Sequence, residues 1–232
     1  TQRRRQRQMC IRDSYCGVGG TNVFGRQIVI NAFNKCIQMG LNVSGMNAEV
    51  GPGQWEIQVG PCEGIAAGDE LTMLRYILTR VSEKYLVEVN FEPKPLVGDW
   101  NGSGCHTNYS TVDMREGRTL TFDEQAVADY KGTGRSSASG YECIMEALGK
   151  LSEKHEDHME VYGDNNQLRM TGLHETANYN VFKYGVADRS ASIRIPRSVQ
   201  KDQKGYLEDR RPGSNIDPYV VTSKIFETTV LQ

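Results

Sequence analysis

The sequence lacks any apolar run of the roughly 18 residues that a bilayer-spanning helix needs. It also has little net charge: 27 Lys and Arg against 29 Asp and Glu leave −2, with a pI near 6.1. That balance removes any global electrostatic case for a nucleic acid or an anionic membrane as partner. No C-x-x-C pair occurs. The six cysteines, at 10, 16, 36, 62, 105 and 143, show no zinc-ligand spacing, and their scatter suits thiols in a reducing compartment. The first residues have no apolar stretch of the signal-peptide kind, and no internal repeat is visible. What is there is 232 residues, enough to bury roughly 70% of the unfolded surface as one large domain or two small ones.

The most informative stretch is Asn47–Gly64, NAEVGPGQWEIQVGPCEG. Its Gly-Pro-Gly can only be a turn. A four-residue loop Gly51–Gln54 puts Val50 opposite Trp55, Glu49 opposite Glu56, Ala48 opposite Ile57, Asn47 opposite Gln58 and Met46 opposite Val59. Met46, Ala48, Val50, Trp55, Ile57 and Val59 then share one face, and Asn47, Glu49, Glu56 and Gln58 the other. Two like charges directly opposite are unfavourable. A hard divalent cation such as Mg²⁺ or Mn²⁺ would relieve that repulsion, which makes Glu49 and Glu56 candidate ligands. The plainer alternative is a hairpin with a hydrated polar face.

Elsewhere the pattern predicts a helix over Phe24–Met39, with Ile28, Phe33, Cys36 and Ile37 on one side and Gly40 as its stop. A second helix is expected behind an Asp69 N-cap, with Leu71, Leu74, Ile77, Leu78 and Val81 as its core stripe. Leu86–Glu92 alternates like a strand. GDWNGSG (98–104) reads as a flexible loop feeding a short strand, in which His106, Asn108 and Ser110 face away from Thr107 and Tyr109. Gly117–Gly140 is Gly/Ser-rich and patternless, the composition of a surface loop. Tyr141–His155 is helical, with Ile144, Leu148 and Leu151 on one face.

The C-terminal third is unusual in arginine, at 169, 189, 194, 197, 210 and 211. Guanidinium forks hold phosphate and carboxylate bidentately and never deprotonate, so such a set can clamp a transferring phosphoryl group. Solvated surface charge is the ordinary fate of arginine. Here, though, the six are interleaved with Gly, Ser and Pro rather than with Glu at helical spacing. His106 is a candidate metal ligand, although an isolated strand histidine is usually structural. Glu175, in the loop segment His174-Glu175-Thr176, is ordinarily only a solubilising residue.

Five stretches carry a resemblance: the hairpin, then KPLVGDWNGSGCHTNYST, LRMTGLHETAN, DRSASIRIPR and GYLEDRRPGSNIDPY. Together they resemble the catalytic domain of the eukaryotic (type II) glutamine synthetases, from about Tyr15 to near the C-terminus, with 117–140 reading as an insertion relative to that family. The resemblance implies an α+β fold, an antiparallel barrel-like sheet with flanking helices. It implies ATP-dependent ligation of ammonia to the γ-carboxylate of L-glutamate through γ-glutamyl phosphate. Glu49 and Glu56 match ligands of a first Mg²⁺ or Mn²⁺, and His106 and Glu208 ligands of a second. Trp100, Asn101 and Gly102 match the glutamate site, and Arg169, Arg189 and Arg210 match glutamate and phosphate contacts. Nucleotide contacts match Glu56, Asn108, Tyr109, Ser110, Arg189, Arg194, Tyr206, Leu207 and Glu208. Glu175, Arg189 and Arg210 match catalytic residues, with Glu175 on a flap that takes a proton from ammonium. Arg197 and Arg211 have no assigned role.

Further expectations follow from the same resemblance. Thr1–Ser14 has no counterpart and reads as non-native or disordered rather than as a targeting or nucleic-acid arm. The N-terminal β-grasp domain and a strand with an E-x-E metal-ligand pair are absent from this stretch, so the fragment alone is expected to be inactive. The implied assembly is a homo-oligomer of two pentameric rings. The implied location is cytoplasmic, with the plastid open, and no nucleic-acid or membrane partner is expected. A non-catalytic relative, or an amide ligase using another amine, is the alternative.

Overall fold

The computed structural model describes residues 14–19, 23–131 and 135–232. All but the last residue of the Thr1–Ser14 segment, Cys10 included, lies outside the described residues. In chain order the elements are α1 (Arg26–Gln38), β1 (Val43–Ala48), β2 (Trp55–Val59), α2 (Ala66–Ser82), β3 (Thr107–Tyr109) and α3 (Val112–Glu116). There follow α4 (Phe122–Lys131), α5 (Gly140–Glu153), α6 (His155–Met159), β4 (Tyr184–Val186), β5 (Ile193–Ile195), α7 (Arg197–Asp202), β6 (Leu207–Asp209) and α8 (Pro218–Phe226). A π-helical turn, Glu227–Leu231, closes the chain.

Alpha and beta elements mix as expected; among the described residues the sheet is open, and one of its strand pairs is parallel. Among the described residues β1 and β2 form a separate hairpin, and β3-β6-β5-β4 form a four-stranded sheet. β4 runs parallel to β5, while the other neighbours are antiparallel.

The helices form where local chemistry starts them and an apolar stripe holds them. Ser139 caps α5 in a reciprocal box with Glu142. Its Ile144, Leu148 and Leu151 are buried against Ile193, Ile195 and Leu207 of the sheet. Each such side chain is worth roughly 1.5–3 kcal/mol. Asp217 caps α8 with Pro218 following, and Val221 and Ile225 pack with Met159, Tyr162 and Ile216. A third cluster joins Ala32 and Cys36 of α1 to Leu74, Ile77 and Val81 of α2, under Val43, Ile57 and Val59 of the hairpin.

Several expectations need correction. Helix α1 is turned so that Val29, Ala32 and Cys36 are buried, while Ile37 is exposed. α2 starts at Ala66, three residues before Asp69, which lies in its first turn and accepts a hydrogen bond from the Tyr219 hydroxyl at 2.7 Å. Leu86–Glu92 forms no strand; Leu86 and Val87 have no neighbouring strand and are exposed. The segment 117–140 is not patternless. It contains α4 and a bridge between Arg118 and Ala138, with 132–134 outside the described residues. α4 leaves Phe122 and Tyr130 exposed and buries only Ala128.

The hairpin register also differs. Asn47 pairs with Glu56, Met46 with Ile57 and Ala48 with Trp55. The turn at Gly51–Gln54 does close, with the Gln54 amide donating to the Gly51 carbonyl at 3.0 Å. However, the Glu49 amide donates to the Gln54 carbonyl at 2.9 Å, which draws Val50 into the loop. The slip is by two, so Met46, Ala48, Trp55 and Ile57 keep one face and Asn47 and Glu56 the other. Glu49 and Glu56 are thus diagonal rather than directly opposite, a spacing that long side chains still bridge.

Candidate active site

The four-stranded sheet sorts side chains by chemistry. Asn108 pairs with Glu208, and Glu208 with Arg194, so these three lie in one row on one face. Thr107, Asp209 and Ile193 form the next row, on the opposite face. Alternation adds His106 and Arg210 to the first face and Arg211 to the second. The polar face carries the site and the other packs inward.

On the polar face Glu208 is buried and held by two arginines. Arg210 Nη1 lies 3.1 Å from its Oε1, and Arg194 Nε pairs with Oε2. The His106 Nδ1 lies 3.4 Å from Glu208 Oε1. Desolvation, then the charges of Arg210, Arg169 and Arg194, push the His106 pKa well below the usual histidine range. The ring is therefore neutral, the form that ligates a metal. Expected residues Tyr109 and Leu207 take the other face. The Tyr109 hydroxyl bonds Thr229 Oγ1 at 2.8 Å, and Leu207 is fully buried in the core. Only their backbone is available to a ligand on the polar side. Ser110 donates to the Gly205 carbonyl at 2.6 Å, and Tyr206 stays partly exposed beside it.

Arg169 is buried, and its fork is largely occupied. Nε donates to Asn166 Oδ1 at 3.0 Å, and Nη2 reaches the carbonyls of Arg210, Arg211 and Pro212 at 3.1, 2.7 and 3.3 Å. Burial, then Arg210, lowers its pKa to about 10. Through these contacts the side chain shapes the floor beneath the loop. Its stem lies so close to the GDWNGSG loop that a Cβ on Gly102 would sit 2.3 Å from Arg169 Cγ and 2.7 Å from the Pro93 carbonyl. Glycine is required there by proximity. The loop is held on other sides too: Lys94 Nζ donates to the Trp100 carbonyl. Gln54, at the hairpin tip, donates through Nε2 to the Gly102 carbonyl and Ser103 Oγ, each at 3.0 Å. Gln54 thus docks the hairpin onto the loop that carries Trp100, Asn101 and Gly102.

Across the loop lies the segment Leu173–Thr176. His174 and Glu175 both have left-handed backbone, with φ of 52° and 62°. The Glu175 carboxylate pairs with Arg189 Nη1 at 3.3 Å, and its carbonyl accepts from Arg210 Nη2 at 3.2 Å. His174 Nε2 meets Asp99 Oδ1 at 2.8 Å. The three residues expected to do chemistry, Glu175, Arg189 and Arg210, are therefore joined.

At the hairpin, burial first and then the neighbouring Glu56 raise the Glu49 pKa. Two acids forced together in this way are suited to sharing a cation. Among the described residues no three His, Cys, Asp or Glu side chains converge, so each metal candidate, Glu49 with Glu56 and His106 with Glu208, is a pair.

Sequence reasoning missed the support beneath Glu208. Asp209 and Arg211 are fully buried and joined at 2.7 Å. The guanidinium stacks on Tyr162 and Phe182, 5.1 and 5.3 Å from their centroids. Tyr162 donates to Asp209 Oδ2 at 2.8 Å, His158 Nδ1 lies 2.6 Å from the Tyr162 hydroxyl, and His158 Nε2 lies 2.9 Å from Thr228 Oγ1. The alternation of Glu208, Asp209, Arg210 and Arg211 along β6 and the two residues after it is the available signal: two of the four charges have to face inward. Arg197 opens α7 and is exposed.

The family model described as "Glutamine synthetase, catalytic domain" matches residues 11–230. The chain is 52% identical to a glutamine synthetase of Hebeloma cylindrosporum over 217 residues, 94% of this chain and 55% of that protein. It is 51% identical to a cytosolic isozyme of Medicago sativa and 52% identical to cytosolic isozyme 1 of Glycine max, with the same coverage. The chain thus spans about half the length of the curated relatives it matches.

Proposed function

The chain belongs to the glutamine synthetase family, and from that premise we propose that it forms the greater part of a site that ligates ammonia to the γ-carboxylate of L-glutamate at the expense of ATP. The observation that supports this most is the convergence of buried Glu208 with Arg194, Arg210 and His106, opposite the Glu175–Arg189 pair. Cationic forks face a place where a phosphoryl group would carry its charge, and a carboxylate stands across from them.

In this reading Asn101, Gly102 and the Trp100 segment hold the α-carboxylate of glutamate. Asn108, the Ser110 and Tyr206 backbone, Glu56 and Arg194 hold the nucleotide. Arg189 and Arg210 neutralise the γ-phosphoryl group as it passes from ATP to the γ-carboxylate oxygen, with ADP as the leaving group. Glu175 takes a proton from ammonium, and the freed nitrogen lone pair attacks the γ-carbonyl carbon. The C–O bond to phosphate then breaks, the nitrogen loses its extra proton to the departing phosphate or to solvent, and the amide remains. Closure of the Glu175 segment keeps water from the acyl phosphate.

The residues present fit a hard divalent metal: two neighbouring acids at the hairpin, of which Glu49 has its pKa raised, and a neutral imidazole beside a carboxylate on the sheet. Bound there, Mg²⁺ or Mn²⁺ would supply Lewis-acid neutralisation of the nucleotide's phosphates. Each pair offers two donors and so leaves positions for water, phosphate oxygens and other carboxylates. Assembly as a homo-oligomer and a cytosolic location, in line with the cytosolic isozymes among the relatives, belong to the same proposal.

The test measures phosphate release with ATP, Mg²⁺, glutamate and ammonium. It uses the chain extended at its N-terminus by the corresponding segment of the Glycine max relative. Release that requires both glutamate and ammonium, and falls by roughly 10²-fold or more in Glu175→Gln, is expected. An extended chain that folds and releases phosphate equally well without ammonium would overturn the proposal.

A further inference from the structure

The contact between His174 and Asp99 joins two segments that the proposed chemistry uses separately. Asp99 sits in the loop that carries Trp100, Asn101 and Gly102, and His174 immediately precedes Glu175. The hydrogen bond is short, 2.8 Å, yet the Asp99 side chain is 83% exposed, so burial does not impose the pairing. On the far side, His174 and Glu175 are consecutive non-glycine residues in left-handed backbone. Each is less favourable than ordinary backbone for a residue with a Cβ. A strained pair persists only where contacts hold it.

Long-range contacts do so here: Arg210 holds the Glu175 carbonyl, Arg189 holds the Glu175 carboxylate, and Asp99 holds His174. In the proposed reaction the first two arginines also face the phosphoryl group and glutamate, and an arriving anion competes with Glu175 for Arg189. Asp99 is the contact that no substrate group needs. It keeps the turn in place when Arg189 changes partners.

Resting on the proposed reaction, we propose that Asp99 and His174 are positioning residues: a strap that ties the glutamate-binding loop to the Glu175 segment and aims the Glu175 carboxylate at ammonium after Arg189 is engaged by substrate. Breaking the strap should loosen both segments at once. It should also impair the deprotonation of ammonium more than the binding of ATP.

The test has two arms. In the 232-residue chain itself, amide hydrogen exchange is followed in peptides covering 98–104 and 171–178. Asp99→Ala is expected to speed exchange in the remote 171–178 peptide, and His174→Asn in the remote 98–104 peptide. Asn tolerates left-handed backbone, but its amide falls short of Asp99. The double variant should exceed neither single, and Asp99→Asn, which keeps an acceptor oxygen, should behave as the original. Changes confined to each variant's own peptide would overturn the strap.

In the extended form, the same variants are assayed with ammonium and with hydroxylamine, which is largely uncharged near neutral pH and attacks without needing a base. Asp99→Ala should lower kcat/KM for ammonium by roughly ten- to hundredfold, with the KM for ATP little changed and the hydroxylamine rate largely retained. An equal loss with both nucleophiles would overturn the positioning role. Should the unsubstituted extended form show no turnover, the proposed function fails, and the exchange arm still decides whether the strap exists.

Discussion

Asp209 and Arg211 lie on the reverse of the strand that presents Glu208 and Arg210, and they set how firmly those two are held. Tyr162 donates to Asp209, so its oxygen accepts from His158 Nδ1–H. The Thr228 hydroxyl beside Nε2 can donate or accept, so the charge of His158 is set by its surroundings. Burial, with the Arg211 charge second, lowers its pKa from 6.5 to about 4. The unfolded chain binds that proton more readily. The stabilisation from keeping His158 neutral is thus complete above about pH 6.5 and is lost as pH falls toward 4, at most about 3 kcal/mol in all. Urea unfolding from pH 7 to pH 4.5 should show the original chain losing about 2–3 kcal/mol more than His158→Asn; parallel losses would refute the neutral histidine. Arg211→Met should cost about 3–5 kcal/mol by stranding the Asp209 charge, seen as a fall in the denaturation midpoint at pH 7. Residue chemistry of this kind was half legible. His106, Glu208 and the arginines could be named from type and spacing, but the inward destination of Asp209 and Arg211 needed the strand register.

At the scale of elements, amphipathic stripes were legible and long-range anchors were not. Leu74, Ile77 and Val81 of α2, and Ile144, Leu148 and Leu151 of α5, are buried as their periodicity required. The apolar alternation of Leu86–Glu92 found no partner strand, and alternation alone cannot supply one. The hairpin kept its faces while its register moved by two. The turn sequence sets only the local loop, whereas Gln54 also bonds the loop around Gly102, forty-eight residues away. Because the two acids remain in contact, Glu56→Gln is expected to weaken Mn²⁺ binding at the hairpin. Equal water-proton relaxation enhancement by both proteins would remove that site. Gly102→Ala should be far more damaging than an ordinary loop substitution, since the added carbon meets the Arg169 stem and the Pro93 carbonyl. A drop of several degrees in melting temperature, about 1–3 kcal/mol, is expected. Replacing 120–136 with a short Gly-Ser link should shift the melting transition little, because α4 buries only Ala128 while the ion pair of Arg118 and Glu146 lies outside the excised stretch.

For the whole molecule, the question is whether the described side chains suffice for phosphoryl transfer. Three apolar clusters hold the hairpin, the sheet and the C-terminal helices in place, so the arginines and Glu175 do not lack a scaffold. Metal donors are what run short. Hard divalent ions take six or more oxygen-type ligands, and each candidate pair contributes two. No third acid, histidine or cysteine converges on either among the described residues. The relatives are nearly twice as long as the matched stretch. Much of phosphoryl-transfer catalysis is electrostatic placement, and a partly filled metal shell binds weakly and leaves the metal poorly oriented. The 232-residue chain by itself is therefore expected to release phosphate several orders of magnitude more slowly than the form extended by a relative's N-terminal segment. Mn²⁺ titration should show the same order, with weak binding by the chain and tighter binding by the extended form. Equal ammonium-dependent turnover by the two forms would mean that the side chains described here complete the site unaided, and that two donors per pair had been the wrong count.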